Sequence, residues 1–134
     1  TGGYVSHLIT SIPGSSEYFK GGIISYSNEL KQSKLNVASA TLEKYGAVSE
    51  QTVKEMALGA LTALNVNVAV SISGIAGPAG GTAEKPVGLI CIAVANAFGK
   101  VTTKKIQLRR DRLLNIRAAS NMALITLYRF LSDE

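Results

Sequence analysis

A glycine-rich stretch at positions 73–88 separates two apolar runs and constrains the fold more than any other part of the chain. It holds five glycines and two prolines in sixteen residues, and the runs at 66–73 and 87–97 are rich in valine, isoleucine and alanine. Such runs are typical of strands covered on both faces of a sheet. Because glycine adopts positive φ, the stretch can bring backbone N–H groups close to an anion. The pattern predicts either an ordinary surface loop or an anion-binding loop at a strand end.

Helical periodicity appears on both sides of these strands. Apolar residues recur every three or four positions in four segments, at 5–9, 39–45, 53–64 and from 112 to the end of the chain. This spacing predicts amphipathic helices whose apolar stripes face a core. Segment 53–64 keeps the pattern for three turns, with Ser49 as its N-cap.

Two further strands are expected, at 19–26 and at 101–108. The second is predicted to be an edge strand that pairs as a hairpin with 87–97. Alternating helices and strands predict one α/β domain over residues 1–134. Its expected architecture is a three-layer α/β/α sandwich with a mostly parallel mixed sheet and one antiparallel strand.

Composition limits the class of protein. The chain is 46% hydrophobic and 17% charged, as expected of a globular domain. Its single cysteine, Cys91, lies in an apolar run and is interpreted as a small buried hydrophobe. The absence of a disulfide framework, of a leader and of an apolar run long enough to span a membrane predicts a cytoplasmic protein.

The net charge of +5 is concentrated near the C-terminal third. Seven of the fourteen basic residues lie within positions 100–117. They indicate either a nucleic-acid face or lysines that protect an edge strand beside a small anion site. No aromatic residue is interleaved with them, so a stacking platform for single strands is not expected, and the second interpretation is favoured.

Two single residues are candidates for chemistry. His7 falls on the predicted first helix, either as a partly exposed helix residue or as a functional one. Lys31 follows Asn28, the predicted N-cap, and would be the third residue of its helix. The helix dipole contributes only about 0.3–1 kcal/mol, less than the roughly 1.36 kcal/mol of one pKa unit. Lys31 is therefore either a solvated surface charge or, if burial also lowers its pKa, a base.

Five motifs in order resemble the CinA C-terminal family of competence/damage-inducible proteins. They are Thr1-Gly-Gly, Ile12-Pro-Gly-Ser-Ser, Tyr26-Ser-Asn-Glu-Leu-Lys, Gly46-Ala-Val-Ser-Glu, and Ser73-Gly-Ile-Ala-Gly-Pro with Glu84-Lys-Pro-Val-Gly. The resemblance covers essentially the whole chain. It implies an amidohydrolase that converts nicotinamide mononucleotide (NMN) to nicotinate mononucleotide and ammonia, with no metal and no cofactor.

The resemblance also implies a serine nucleophile in a Glu-Ser-Cys-Thr-Gly-Gly motif. This sequence contains only the Thr-Gly-Gly part, so the serine would lie two residues before Thr1. A chain that truly begins at Thr1, without the helix and strand that precede this motif in the family, is expected to lack amidase activity. Restoring that segment should then restore turnover.

The resemblance assigns roles to residues that are present. It implies that Lys31 activates the serine and that Tyr26 hydrogen-bonds in the same site. The implied substrate contacts are Thr1, Gly2, Gly3, Asn28, Gly74, Ala76, Gly77, Gly80, Gly81, Thr82, Lys85 and Arg112.

The sequence around the predicted arginine departs from the family motif. The family pattern is Gly-Asp-Arg-x-x-Ile/Val-Arg, whereas residues 110–117 read Arg-Asp-Arg-Leu-Leu-Asn-Ile-Arg, with arginine for glycine and one extra residue. Arg112 is the predicted contact, and Arg110 and Arg117 remain alternatives.

A second function stays open at this point. The domain could instead be a non-catalytic nucleotide- or protein-binding part of a competence-type protein. The expected partner is a small nucleotide, NMN, rather than a membrane or a nucleic acid, and the sequence leaves a homo-oligomer open.

Overall fold

The structure is a computed structural model that describes residues 1–133. Five α-helices, a short 3-10 turn and three strands follow one another in these residues. In chain order they are α1 (Tyr4–Thr10), the 3-10 turn (Ser15–Glu17), α2 (Asn28–Leu35), α3 (Ser39–Tyr45), α4 (Glu50–Leu64), β1 (Val68–Gly74), β2 (Leu89–Asn96), β3 (Val101–Gln107) and α5 (Arg112–Ser132). None of the helices in this part of the chain is both long and apolar enough to cross a bilayer.

The sheet corrects the predicted fold class. Its three strands are ordered β1-β2-β3, and both pairs are antiparallel, with Ile72 opposite Ile92 and Ile90 opposite Ile106. A parallel return would need a crossover, usually a helix, but the connection at 75–88 contains none. The prediction of a mostly parallel mixed sheet is therefore wrong, and the domain has a three-stranded antiparallel sheet packed against helices.

Helices cover both faces of the central strand, β2. Leu89, Cys91, Ala93 and Ala95 point into a core shared with α2 and α4, whereas Ile90 and Ile92 pack with α5. This arrangement explains the continuous apolar run of β2, which is buried along almost its whole length. β1 and β3 lie at the sheet edges of the described chain, and β3 is largely exposed, which confirms the predicted edge strand.

The predicted strand at 19–26 is wrong. These residues connect the 3-10 turn to α2 without belonging to the sheet. Their composition favours extended backbone, but a strand also needs a partner for its N–H and C=O groups, and residues 1–133 provide none here. The segment instead presents the Ser25 carbonyl to a lysine of α2.

Helix α2 begins one residue earlier than predicted from its cap. Ser27 is the N-cap, and its side chain accepts a hydrogen bond from the Leu30 N–H at 3.1 Å. Asn28 is therefore the first helical residue, and Lys31 is the fourth rather than the third. Both serine and asparagine cap helices well, so the sequence alone does not choose between adjacent candidates. The predicted Ser49 cap of α4 is confirmed by its 3.0 Å bond from the Thr52 N–H.

Cys91 provides a simple test of this packing. Its side chain is fully buried in β2, and burial raises the pKa of the thiol. We expect the native protein to react with a disulfide reagent about 10³-fold or more slowly than a free thiol, because reaction requires opening of the core. Reaction in denaturant serves as the control and should be fast. Native reaction at the rate of free cysteine would contradict the described core.

Candidate active site

The amine of Lys31 is held inside the protein. The side chain is only 6% exposed, and its Nζ donates a hydrogen bond to the Ser25 carbonyl at 2.9 Å. Burial lowers the pKa of this amine. Because α2 begins at Asn28, Lys31 lies near its start, and its side chain reaches back to Ser25 in the preceding segment. A lysine with a lowered pKa has a larger neutral fraction near pH 7 and can accept a proton.

Arg112 joins two separate segments at the start of α5. Its Nη1 donates to the Gly77 carbonyl at 2.8 Å, and its Nη2 donates to the Tyr26 hydroxyl at 3.3 Å. Tyr26 follows directly after Ser25, the partner of Lys31. The contacts therefore connect the glycine-rich stretch, through Arg112 and residues 25–26, to the buried amine.

Thr1 lies near both cations. Its backbone nitrogen is partly buried and lies within electrostatic range of the charges of Arg112 and Lys31. Gly2 and Gly3 follow with positive φ, and Gly3 caps α1. The Thr-Gly-Gly segment, Lys31 and Arg112 thus share one electropositive region.

Glycines shape the loop that faces this region. Gly77 has a φ of 89°, and a Cβ there would lie 2.4 Å from Val87 Cγ1. A Cβ at Gly74 would lie 2.3 Å from Ile90 Cδ1. Thr82 and Lys85 close the loop tip, since the Thr82 N–H donates to the Lys85 carbonyl and the Lys85 N–H donates to Thr82 Oγ1. Only glycine permits this close folding of the backbone.

The ammonium of Lys85 forms hydrogen bonds to backbone carbonyls of the protein. It donates to the carbonyls of Tyr45 and Val48, the second at 2.9 Å, where α3 ends and α4 approaches. Lys85 therefore ties the glycine-rich loop to the α3–α4 connection. Its predicted contact with substrate stays a prediction.

The other predicted residues differ in their surroundings. Asn28 is exposed at the start of α2, and Gly80 and Gly81 are exposed at the loop tip. Arg110, Arg112 and Arg117 are all exposed, and Arg112 is the one whose side chain donates a hydrogen bond to the loop. Their roles with substrate remain predictions. His7 is exposed on α1 and stacks on Tyr4, and residues 1–133 contain no cluster of side chains suited to a metal ion.

Sequence reasoning missed Asn115. This residue of α5 is fully buried, and its Nδ2 donates to the carbonyls of Ala76 at 2.9 Å and Arg110 at 2.8 Å. Its Oδ1 accepts from the Arg110 N–H at 3.1 Å. One signal was present in the sequence: Asn115 is a polar residue in phase with the apolar stripe of α5 that includes Ala119 and Ala123.

The profile of the CinA C-terminal domain family matches residues 1–131. The chain belongs to this family. The match confirms the resemblance drawn from the five motifs.

Relatives of the CinA-family chain include named enzymes and a solved structure. It is 54% identical over 112 residues to the nicotinamide-nucleotide amidohydrolase PncC of Enterobacter agglomerans, covering 84% of this chain and 68% of the relative. It is 49% identical to a CinA-like protein of Cytophaga hutchinsonii, covering 96% of this chain and 30% of the relative. The crystal structure of the competence/damage inducible protein CihA from Agrobacterium tumefaciens superposes with a TM-score of 0.93 at 40% identity, covering 95% of this chain and 78% of that one.

These coverages differ between two kinds of relative. The chain spans about a third of the length of the longer CinA-type relatives, with values of 32% and 30%. It spans two thirds or more of the PncC amidohydrolases, with values of 68% and 78%. The family is thus shared by long proteins and by short named enzymes.

Proposed function

We propose that this CinA-family chain carries the general base and the substrate-binding side of an amidohydrolase that converts NMN to nicotinate mononucleotide and ammonia. The observation that carries the proposal is the buried Lys31 amine, whose pKa is lowered by burial and which bonds to Ser25, the residue before the Tyr26 that Arg112 contacts. A named nicotinamide-nucleotide amidohydrolase that is 54% identical supports the choice of reaction.

Lys31 acts as the base. Its neutral amine takes the proton from the serine hydroxyl, whose place in the family motif is two residues before Thr1, and the serine oxygen attacks the carboxamide carbon. The ammonium then returns the proton to the amide nitrogen, which leaves as ammonia. Water, deprotonated by the same amine, hydrolyses the acyl-serine to the carboxylate and restores the serine.

Arg112 binds the anionic part of the substrate. Its partners in the described structure are a backbone carbonyl and a phenol rather than a carboxylate, so its positive charge is not neutralised by them. An unneutralised guanidinium beside a glycine-rich loop suits a phosphate, which accepts charge-assisted hydrogen bonds from arginine. Tyr26, which is 74% exposed, accepts a hydrogen bond from Arg112 and orients the guanidinium.

The proposal is tested by incubating the full-length protein that contains this sequence with NMN. We expect equal amounts of ammonia and nicotinate mononucleotide, measured by a coupled assay for ammonia and by chromatography. Nicotinamide riboside, which lacks the phosphate, is the matched substrate and should be hydrolysed much more slowly. Saturable NMN binding without ammonia release would instead support the non-catalytic nucleotide-binding function.

Replacing Arg112 with alanine separates binding from chemistry. We expect KM for NMN to rise about 10–100-fold, since a charge-assisted contact to phosphate is lost, while KM for nicotinamide riboside changes little. Arg117→Ala removes an exposed arginine from the same helix and should leave both values unchanged. An equal effect of the Arg112 variant on the two substrates would contradict a phosphate contact.

A further inference from the structure

We infer that Asn115 is the positioning residue that holds the glycine-rich loop and Arg112 in register for substrate binding. The inference rests on the proposed function for its kinetic consequence, and on geometry alone for its structural one. Asn115 lies one helical turn after Arg112, so the two side chains project from neighbouring positions on α5. They contact consecutive carbonyls of the loop, Ala76 and Gly77.

Both the nitrogen and the oxygen of the Asn115 side-chain amide are hydrogen-bonded within the protein. Both hydrogens of Nδ2 are donated, to Ala76 and to Arg110, and Oδ1 accepts from the Arg110 N–H. A rotated amide would set its oxygen against two carbonyl oxygens in a site closed to water, so only one orientation satisfies these groups. The side chain therefore fixes the distance between the loop and the segment that leads into α5.

Arg112 alone cannot provide the same restraint. The Arg112 side chain is long, and both Arg112 and its partner Tyr26 are exposed. Asn115 is short and enclosed, and two hydrogen bonds to Arg110 anchor its amide, so its bond to Ala76 limits the movement of that residue much more strongly. The far end of the loop has separate attachments, from Lys85 to Val48 and from Gln107 to Val87. At the end nearest Arg112, backbone hydrogen bonds with Leu89 and Gly88 hold Ile75, and Asn115 holds the residue that follows, Ala76.

The test uses Asn115→Asp and Asn115→Ala in the full-length protein. Aspartate keeps the shape and the acceptor for Arg110, but its ionised form cannot donate to Ala76. We expect faster amide hydrogen exchange at residues 74–82, and a rise of about tenfold or more in KM for NMN, because the loop and Arg112 lose their fixed relative position. The kcat and its pH profile, which depend on Lys31, should change less than twofold.

Ser120→Ala is the matched control. Ser120 is equally buried in α5, but its hydroxyl bonds only to the Ile116 carbonyl of its own helix. This variant should leave loop exchange and KM unchanged even if it lowers stability. If the Asn115 variants lower only the melting temperature, with loop exchange and KM as in the wild type, the residue is structural and the inference is overturned.

A double-mutant cycle tests the coupling to Arg112. In an Arg112→Ala background, Asn115→Asp should raise KM by less than twofold, because the group that it positions is absent. A full tenfold effect in that background would overturn the link between the two residues. Amide exchange needs no substrate, so it tests the positioning role independently of catalysis. A failure to hydrolyse NMN would contradict the proposed function and not the positioning role.

Discussion

Replacing Lys31 with methionine is expected to lower kcat for ammonia release from NMN by about 10²–10⁴-fold, the usual contribution of a general base. Methionine preserves the length and burial of the side chain but cannot accept a proton. In the wild type, kcat should rise with pH through the pKa of Lys31, which burial places below its ordinary value. The methionine variant should lack that rise, which can be measured by steady-state assays from pH 5 to pH 10.

The same substitution should stabilise the protein at neutral pH. The pKa of Lys31 is lower in the folded than in the unfolded chain, where it is about 10.4. Between these two values the unfolded chain binds more protons, so wild-type stability should increase as pH rises through this interval. Below it, folding carries the full cost of burying the charged amine. Near pH 7, the urea midpoint of the methionine variant should be higher than that of the wild type. Raising the pH should not increase the midpoint of the variant further.

Lys34→Met is the control for both effects. Lys34 is exposed on the same helix, α2, so its removal should change neither kcat nor the pH dependence of stability. A Lys31→Met enzyme with wild-type turnover would exclude Lys31 as the base. A variant less stable than the wild type at every pH would show that the bond to Ser25 outweighs the cost of burial.

Replacing Gly59 with alanine is expected to destabilise the protein, against the intrinsic preference of a helix. Gly59 lies inside α4, where alanine would ordinarily gain about 1 kcal/mol. A Cβ at this position would lie 1.8 Å from the Leu35 carbonyl oxygen and 2.6 Å from its carbon, both in the backbone. Because a backbone atom cannot rotate away, we expect a clash cost of about 3 kcal/mol or more and a net loss of about 2 kcal/mol.

The displacement should also reach the site. Leu35 is the last residue of α2, one turn after Lys31, so alanine at position 59 pushes α2 away from α4 and moves the amine. We therefore expect a lower urea midpoint together with reduced kcat. Gly21→Ala is the control, since its Cβ would meet nothing within 4 Å and its φ is not positive. An increase in stability for Gly59→Ala would contradict the close packing of the two helices.

The direction of the strands shows where sequence reasoning failed. The alternation of helices and strands predicts a mostly parallel sheet, and the apolar runs at 66–73 and 87–97 predict strands covered on both faces. Here α4 and α5 provide that cover for an antiparallel sheet. The burial of a strand depends on what packs against its faces and does not indicate whether the neighbouring strands are parallel or antiparallel to it. The path of the helix-free connection at 75–88 decided the direction.

The site shows a related limit. The motifs identified Lys31, Arg112 and the glycine-rich stretch as residues of interest, but not the environment of any of them. The lowered pKa of Lys31 depends on burial, and the helix dipole alone could not have supplied it. Lys85 and Asn115 make their contacts with residues 37 and 39 positions away, and no local pattern records such pairs.

The sequence by itself determined the helices, the positions of β1, β2 and β3, the exposed edge and the family, although it also predicted a strand at 19–26 that does not form. These follow from periodicity, composition and ordered motifs, which are properties of neighbouring residues. Only the tertiary structure decided that the sheet is antiparallel, that the amine of Lys31 is enclosed, and that Arg112 and Asn115 contact consecutive carbonyls of one loop. The physical reason is that burial and long-range hydrogen bonds depend on how the elements pack, which the short-range pattern leaves undetermined.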